Sequence, residues 1–332
     1  MLLSIKTTDH ILEEVFKSKH IVVGAGAVGT ATAVLLAERG EEVVVVTRSG
    51  SGPAHPAITR TTADASSSAR MAQLATSAVA IYNCANPAYH RWATNWPPLA
   101  HSLLTAAQRS NAVLVTVSNL FGYGPVSGPM TEDLPLAAQG PKGLARVQMW
   151  RDALASHDAG RVRATEVRGS DYVGPGVQGQ LGDRVIARVL PGRDVTVMKS
   201  ADTLHTWTAT EDVARLLVTV ALDERAWGRP WHVPSNPPRT QRETVADLSR
   251  AAGLEPVKVN EYPGTLIRAM GLFKPRDARA PRGGIPARGP VRPRLLGSAA
   301  DLRSHGDTVG RRVGRCHRKQ PVTGAAQTYD RS

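Results

Sequence analysis

The stretch Ile21-Val22-Val23-Gly24-Ala25-Gly26-Ala27-Val28-Gly29, continued by Thr30-Ala31-Thr32-Ala33-Val34-Leu35-Leu36-Ala37-Glu38-Arg39-Gly40 and then Val43-Val44-Val45-Val46-Thr47-Arg48, decides the fold of this chain. A short apolar run predicts a buried strand, an Ala/Leu-rich run predicts a helix ending before Gly40, and four consecutive valines predict a second buried strand. Between strand and helix stand three glycines at G-x-G-x-x-G spacing. Gly24 permits a tight turn, Gly26 lets the backbone approach a pyrophosphate, and Gly29 lets the helix lie close on the sheet. A diphosphate would then face Ala27 and Val28, at a helix start whose N–H groups lack intrahelical partners. Glycines also serve as plain turn residues, but here strand, turn, helix and second strand sit in register, the context that gives this spacing its meaning.

The end of the second strand bears on the choice of cofactor. A carboxylate about twenty residues past the fingerprint would bind ribose hydroxyls and favour NAD; this chain has Thr47-Arg48-Ser49 there. A guanidinium with neighbouring hydroxyls suits a 2′-phosphate, so NADP is the expected cofactor and NAD the alternative. The competing reading of Arg48 is a solvated charge at a strand end.

With 332 residues, 42% of them hydrophobic, the chain can bury the core of one large domain or two smaller ones. No apolar run approaches the roughly 20 residues that span a bilayer. Met1-Leu2-Leu3-Ser4-Ile5 is followed too soon by Lys6 and Asp9 for a secretory signal, so the cytoplasm is the expected compartment and no membrane partner is expected. Cys84 and Cys316 lie far apart without metal-ligand spacing, and no disulfide, nucleophile or metal site is expected from them. The net charge of +13 invites a nucleic-acid reading. Its location argues otherwise: residues 274–319 carry 13 Lys/Arg against Asp277, Asp301 and Asp307, which is +10 of the total, and the rest of the chain is nearly balanced. The expected partner is a small-molecule substrate, with homodimerisation open and nucleic acid expected only if the basic segment is genuine.

Along the chain, residues 9–16 suggest a short helix before the first strand. After the second strand comes a polar, Ser/Thr-rich stretch to Asp64, then a helix near 69–75, a strand over 78–82, a helix from Pro97 to about Arg109 and a strand over 112–117. This alternation predicts an α/β fold with a doubly wound parallel sheet and ligands at the carboxyl ends of its strands. Further on, the pattern predicts a helix over 145–157, a strand over 162–167 and helices over 212–222 and 240–252. Thr240 and Glu243 form a capping box at the start of the last helix. The expected organisation is an extension over 1–19, a dinucleotide-binding domain over 20–170, a small substrate lobe over 171–273 interleaved with the sheet, and a basic Pro/Gly/Arg-rich segment over 274–332, expected to be disordered.

These residues together resemble the extended short-chain dehydrogenases/reductases, the NAD(P)-dependent epimerases and dehydratases, over about residues 20–270. Asp64 resembles the acid that contacts adenine after the third strand, and Tyr82-Asn83-Cys84-Ala85 the fourth-strand end that borders the cofactor. Later landmarks of the family are resembled, in order, by Ser118-Asn119-Leu120-Phe121-Gly122-Tyr123-Gly124, Thr131-Glu132-Asp133, Arg168-Gly169-Ser170-Asp171-Tyr172-Val173-Gly174-Pro175-Gly176, Thr210-Glu211-Asp212-Val213-Ala214 and Trp231-His232-Val233-Pro234. The resemblance implies a Rossmann sheet with a C-terminal substrate lobe, oxidoreductase or isomerase chemistry at a carbonyl or hydroxyl group, and Arg168 beside the substrate.

It also implies a tyrosine and a lysine four residues apart on a helix, the phenol moving a proton while the ammonium lowers its pKa and holds the ribose. Between Glu132 and Trp150, where that pair belongs, there is no tyrosine, and the usual serine position falls on Asn119. Three arrangements stay open. Asn119, Tyr123 and Lys142 or Arg146 supply a substitute acid/base set; the substrate or a water carries the proton; or the chain binds NADP and regulates without turnover. Tyr123 as a loop aromatic and Lys142 as a solvated turn charge are the competing structural readings. Likewise His205 and Trp207 either line a substrate pocket or pack inside the lobe.

Relatives of this family usually continue with P-F-V-L-D-S-S and then T-P-W-D-E. Codons exist for Pro290-Val291-Arg292-Pro293-Arg294-Leu295-Leu296-Gly297 and for Asp307-Thr308-Val309-Gly310-Arg311-Arg312 that give those two strings when read one nucleotide later. The segment from about Lys274 therefore reads as out-of-frame translation of GC-rich DNA.

Overall fold

The structure is a computed structural model that describes residues 17–263 apart from Gln180, Met198 and Lys199; the side chains of Asp183 and Arg184 are likewise not described. The helix expected over 9–16 and the basic segment over 274–332, with its out-of-frame reading, lie outside the described residues.

The quoted stretch folds as strand β1 (Lys19–Val23), helix α1 (Ala27–Glu38) and strand β2 (Glu42–Thr47). There follow β3 (Ile58–Thr62), α2 (Ser68–Leu74), β4 (Ala78–Asn83), α3 (Trp92–Ser110), β5 (Val113–Asn119), α4 (Pro141–Asp158) and β6 (Arg163–Gly169). The second half adds β7 (Asp171–Val173), α5 (Asp183–Val189), β8 (Val195–Val197), β9 (Leu204–His205), β10 (Trp207–Ala209), α6 (Thr210–Leu222), β11 (Pro230–His232), β12 (Arg239–Thr240), α7 (Gln241–Ala251) and β13 (Val259–Glu261).

Seven strands form one parallel sheet in the order β3-β2-β1-β4-β5-β6-β11, the doubly wound arrangement that the alternation predicts. Because side chains alternate along a strand, one sheet face packs Val22, Val45, Tyr82 and Val115 against α1 and α6, and the other packs Ile21, Ile81 and Leu114 against α2, α3 and α4. The chain order reverses between β1 and β4, so the crevice at their carboxyl ends is the topological switch point.

Several elements differ from expectation for identifiable reasons. Strand β3 lies in the stretch read as a polar connection; it is an edge strand of β-branched residues, and only Ile58 on it is buried, so it shows no apolar alternation. Helix α3 begins at Trp92 rather than Pro97, with Pro97 and Pro98 inside it. The burial of Trp92 and Trp96 in its first turns offsets the hydrogen bonds that the two prolines remove. Helix α4 starts at Pro141, where a proline's fixed φ and missing N–H suit a first turn, rather than at 145.

After β6 three two-stranded ladders appear, β7 with β10, β9 with β12 and β8 with β13. Strands of two or three residues are too short for periodicity to show. Their core is Leu181, Val185, Val189, Val195, Trp207, Val245 and Val259. Helix α6 and strand β11 return to the main sheet, α6 against α1 and β11 beside β6. The expected capping box of α7 is present, Thr240 and Glu243 bonding reciprocally. Among the described residues no helix is long and apolar enough to cross a membrane.

Candidate cofactor and active site

The three glycines face three different surroundings. Gly24 has φ +97°, and a Cβ there would come within 2.8 Å of the Cys84 carbonyl oxygen and 2.9 Å of Ala85 Cα. Only glycine lets the β1 turn close against the end of β4. A Cβ on Gly29 would strike the Gly24 carbonyl and lie 3.1 Å from Cys84 Cβ, so this residue lets α1 press onto the turn. Gly26 is exposed, caps α1 with extended backbone, and a Cβ on it would meet nothing within 4 Å. The space above it is open. The first turn of α1, with Ala27 and Val28 both half-buried, has no side-chain cap and no acidic residue. Uncapped N–H groups and an open approach over Gly26 fit a dinucleotide's pyrophosphate. From the second half, Gly176 approaches this helix start, its added Cβ falling 3.9 Å from Ala27 Cβ.

Beyond the turn, Thr47 Oγ1 donates to the Ser51 carbonyl at 3.0 Å and Arg48 is exposed at the end of β2. Asp64, also exposed, accepts from the Ser66 N–H at 2.9 Å and the Ser66 hydroxyl at 2.8 Å. These bonds, aided by the charge of Arg48, hold its carboxyl below the usual carboxylate range. Thr47, Arg48 and Asp64 thus gather at the carboxyl ends of β2 and β3. Ala85 is half-buried beside Gly24, but the Asn83 side chain turns to the other sheet face. There it borders a small cavity with Thr116, Glu166, Leu103 and Trp150, and its Oδ1 is buried without a partner in the structure. Cys84 is buried, which pushes its thiol up to about 12 and leaves it inert as a nucleophile.

Tyr123 and Arg168 are brought together in a buried relay. Arg168 donates from Nε to Glu166 Oε1 at 2.6 Å and from Nη1 to the Tyr123 hydroxyl at 2.7 Å, and that hydroxyl donates to His232 Nε2 at 2.6 Å. Burial and the Arg168 charge lower His232 to about 3, so its ring is a neutral acceptor. Burial likewise pushes Tyr123 up to about 12 against the pull of Arg168. The His232 backbone N–H donates to Glu132 at 3.0 Å, tying the acidic turn to the end of β11. Tyr123 is 1% exposed. Asn119 Oδ1 accepts from the Phe121 N–H at 3.1 Å and so caps the 3-10 turn Leu120–Tyr123.

Two cations in the first turns of α4, Lys142 and Arg146, form a column with aromatic side chains. Lys142 Nζ lies 4.5 Å above the Tyr89 ring, Tyr89 stacks on Trp92 at 4.8 Å and 14°, and the buried Arg146 guanidinium sits 4.7 Å from Trp92 and 4.4 Å from Trp96. Arg146 also donates to the Val117 carbonyl at 3.0 Å. Lys142 and Arg146, four residues apart, thereby hold the start of α4 against the start of α3. Gly143 between them is obligatory, since a Cβ would lie 2.6 Å from the Phe121 carbonyl.

Of two further groups at this sheet edge, one escaped the sequence reading and the other was read only as part of the Arg168–Gly176 landmark. Tyr89, half-exposed, comes from the turn after β4, where nothing in the local sequence signals a functional phenol. Asp171 follows β6 and accepts from His205 Nδ1 at 2.7 Å. His205 was visible as a candidate, but its carboxylate partner lies 34 residues away on another strand. Among the described residues no group of three potential ligands could hold a metal.

A doubly wound sheet with an uncapped, glycine-opened helix start at its switch point defines a nucleotide-cofactor-binding α/β protein. The model of the NAD dependent epimerase/dehydratase family matches residues 20–232, and the chain belongs to that family. The sequence has no significant match among curated proteins. Similar solved structures include a UDP-glucose 4-epimerase from Thermotoga maritima with UDP-glucose (17% identity, TM-score 0.67, covering 82% of this chain and 89% of that one). Another is a double mutant of DesIV, a dTDP-glucose 4,6-dehydratase from Streptomyces venezuelae, with NAD and DAU bound (20% identity, TM-score 0.65, 88% and 98% covered). A third is MoeE5 in complex with UDP-glucose and NAD (21% identity, TM-score 0.61, 74% and 85% covered). At such identities the likeness is one of fold.

Proposed function

We propose that this protein holds NADP(H) over Gly26 and uses it for reduction, oxidation or epimerisation at a carbonyl or hydroxyl carbon of a small molecule. The observation that carries this reading is the open space at Gly26 above the uncapped start of α1, in a chain of the epimerase/dehydratase family. Gly24, Gly26, Ala27, Val28 and Gly29 hold the pyrophosphate; Thr47, Arg48 and Asp64 hold the adenosine end; Ala85 closes the crevice from the β4 side. When bound, the nicotinamide supplies or accepts hydride. Exposed Arg48, beside two hydroxyl-bearing residues and with no carboxylate at the carboxyl end of β2, supports the preference for the 2′-phosphate. Titration with NADPH and NADH followed by fluorescence tests this. Arg48→Ala is expected to weaken NADPH about tenfold or more and to leave NADH nearly unchanged; an unchanged preference removes the argument for NADP.

A second reading, binding and signalling without turnover, is favoured by the burial of Tyr123 in its relay and by the packing of Lys142 and Arg146 on aromatic rings. The two readings part on a panel of carbonyl and alcohol substrates. Hydride transfer to or from any of them supports the enzyme, and tight NADPH binding without transfer across the panel supports the sensor.

A further inference from the structure

We propose that the cavity beside Asn83, beneath α3 and α4, is a binding site for a single water molecule that bridges the side chains of Asn83, Thr116 and Glu166. The site stands apart from the cofactor crevice and does not depend on the function proposed above.

The register of the sheet builds the floor of the cavity. Asn83 on β4 pairs with Thr116 on β5, and Thr116 pairs with Glu166 on β6, so the three side chains form one row on the face that the helices cover. All three line the cavity, and Leu103 and Leu104 of α3 with Ala153 of α4 close it from above. A parallel sheet covered on both faces is ordinarily apolar throughout. The preceding row on this face, Ile81, Leu114 and Ala164, keeps that rule. The row of Asn83 breaks it, and so does the next one, where Ser118 pairs with Arg168 and Arg168 with His232. Polar residues in two successive rows under apolar helices need partners of their own.

The second row and Glu166 find theirs within the protein, whereas Asn83 does not. Glu166 Oε1 accepts from Arg168 Nε at 2.6 Å, and Arg168 continues to the Tyr123 hydroxyl and through it to His232. Asn83 is 2% exposed, and its Oδ1 is buried with no protein donor on it. Native folds nearly always give such an atom a partner, either protein or ordered water.

Size, charge and hydrogen bonding together select that partner. The cavity measures about 10 Å³, and roughly 10–15 Å³ holds one water. A larger ligand has no room. Arg168 already balances the charge of Glu166, so a neutral occupant suits the site. It must donate, because an amide oxygen and a carboxylate only accept. Water satisfies each condition: it donates to Asn83 Oδ1 and to the Glu166 carboxylate, and it accepts from the Thr116 hydroxyl. The bridge extends the Glu166–Arg168–Tyr123–His232 relay across β5 to the end of β4, where Cys84 and Ala85 wall the glycine turn.

Two measurements on the full chain test the site. A high-resolution crystal structure of the wild type is expected to show one isolated density peak roughly 2.6–3.2 Å from Asn83 Oδ1 and from at least one of Thr116 Oγ1 and the Glu166 carboxylate. In solution, 17O magnetic relaxation dispersion counts long-lived internal waters. Asn83→Leu replaces the amide by an apolar group of similar size and is expected to show one such water fewer than wild type. Thr116→Val, which removes one partner and keeps the volume, is expected to shorten the residence time of that water. Absence of the peak in the wild-type density overturns the proposal, as does a count unchanged in Asn83→Leu. If Asn83→Leu fails to fold, the wild-type density decides alone.

Discussion

Gly26 and Gly29 belong to one turn and stand three residues apart, yet what surrounds them is opposite. A side chain at Gly29 collides with the Gly24 carbonyl, whereas a side chain at Gly26 enters open space. Gly29→Ala is therefore expected to destabilise the fold by about 1–3 kcal/mol. Gly26→Val is expected to leave the urea midpoint near wild type and to abolish NADPH binding by filling the cradle. Fluorescence titration beside urea melts checks both, and a Gly26→Val protein that binds normally would remove Gly26 from the site. This division of labour was legible in the sequence, because spacing alone separates a turn glycine, an approach glycine and a packing glycine. The partnership of Asp171 with His205 was not. Its members sit on β7 and β9, and only tertiary packing brings 171 and 205 within one hydrogen bond.

At the scale of elements, α3 and α4 are joined by cations lying on rings. Arg146 is buried between Trp92 and Trp96, and Lys142 covers Tyr89 from outside. Removing the buried member leaves a void between two indoles and takes a donor from the Val117 carbonyl, whereas removing the exposed member takes a cation off the outer face of the Tyr89 ring at the surface. Arg146→Ala is thus expected to cost about 3 kcal/mol, and Lys142→Ala less than about 1 kcal/mol. Arg146→Lys should recover only part of the loss, since an ammonium cannot stack as a planar guanidinium does. Urea melts decide, and equal midpoints for Arg146→Ala and Lys142→Ala would show that the column carries no stability. Helix existence was readable from the sequence at both places. The start of α3 was not, because Pro97-Pro98 is a strong stop signal, and what overrides it is the burial of Trp92 and Trp96 against a residue some fifty positions later.

Over the whole molecule, the order of the central sheet follows from strands alternating with helices, a pattern the sequence displays plainly. The second half was far less readable, since its ladders of two and three residues exist only because the sheet and α6 place them. The same sheet carries two buried imidazoles, one at the amino end of the inner strand β1 and one at the carboxyl end of the edge strand β11, and this couples folding to pH. His20, on β1, accepts from the Tyr82 hydroxyl at 3.2 Å and is lowered to about 4 by burial; His232, on β11, is lowered to about 3 by burial and by Arg168. In the unfolded chain each titrates near 6.5. Below that pH the unfolded state takes up protons that the folded state refuses, so stability is complete above about pH 7 and falls as the pH drops toward the folded values. The loss is about 2 kcal/mol for each ring by pH 5. Urea midpoints are therefore expected to fall steeply between pH 7 and pH 5. A His20→Asn, His232→Asn double variant, less stable at pH 7, should show a flatter dependence because neither ring remains to charge. A wild-type midpoint that is the same at pH 7 and pH 5 would mean that these rings take up protons in the fold as readily as in the unfolded chain, and that at pH 5 the Tyr123 hydroxyl no longer has a bare nitrogen to donate to.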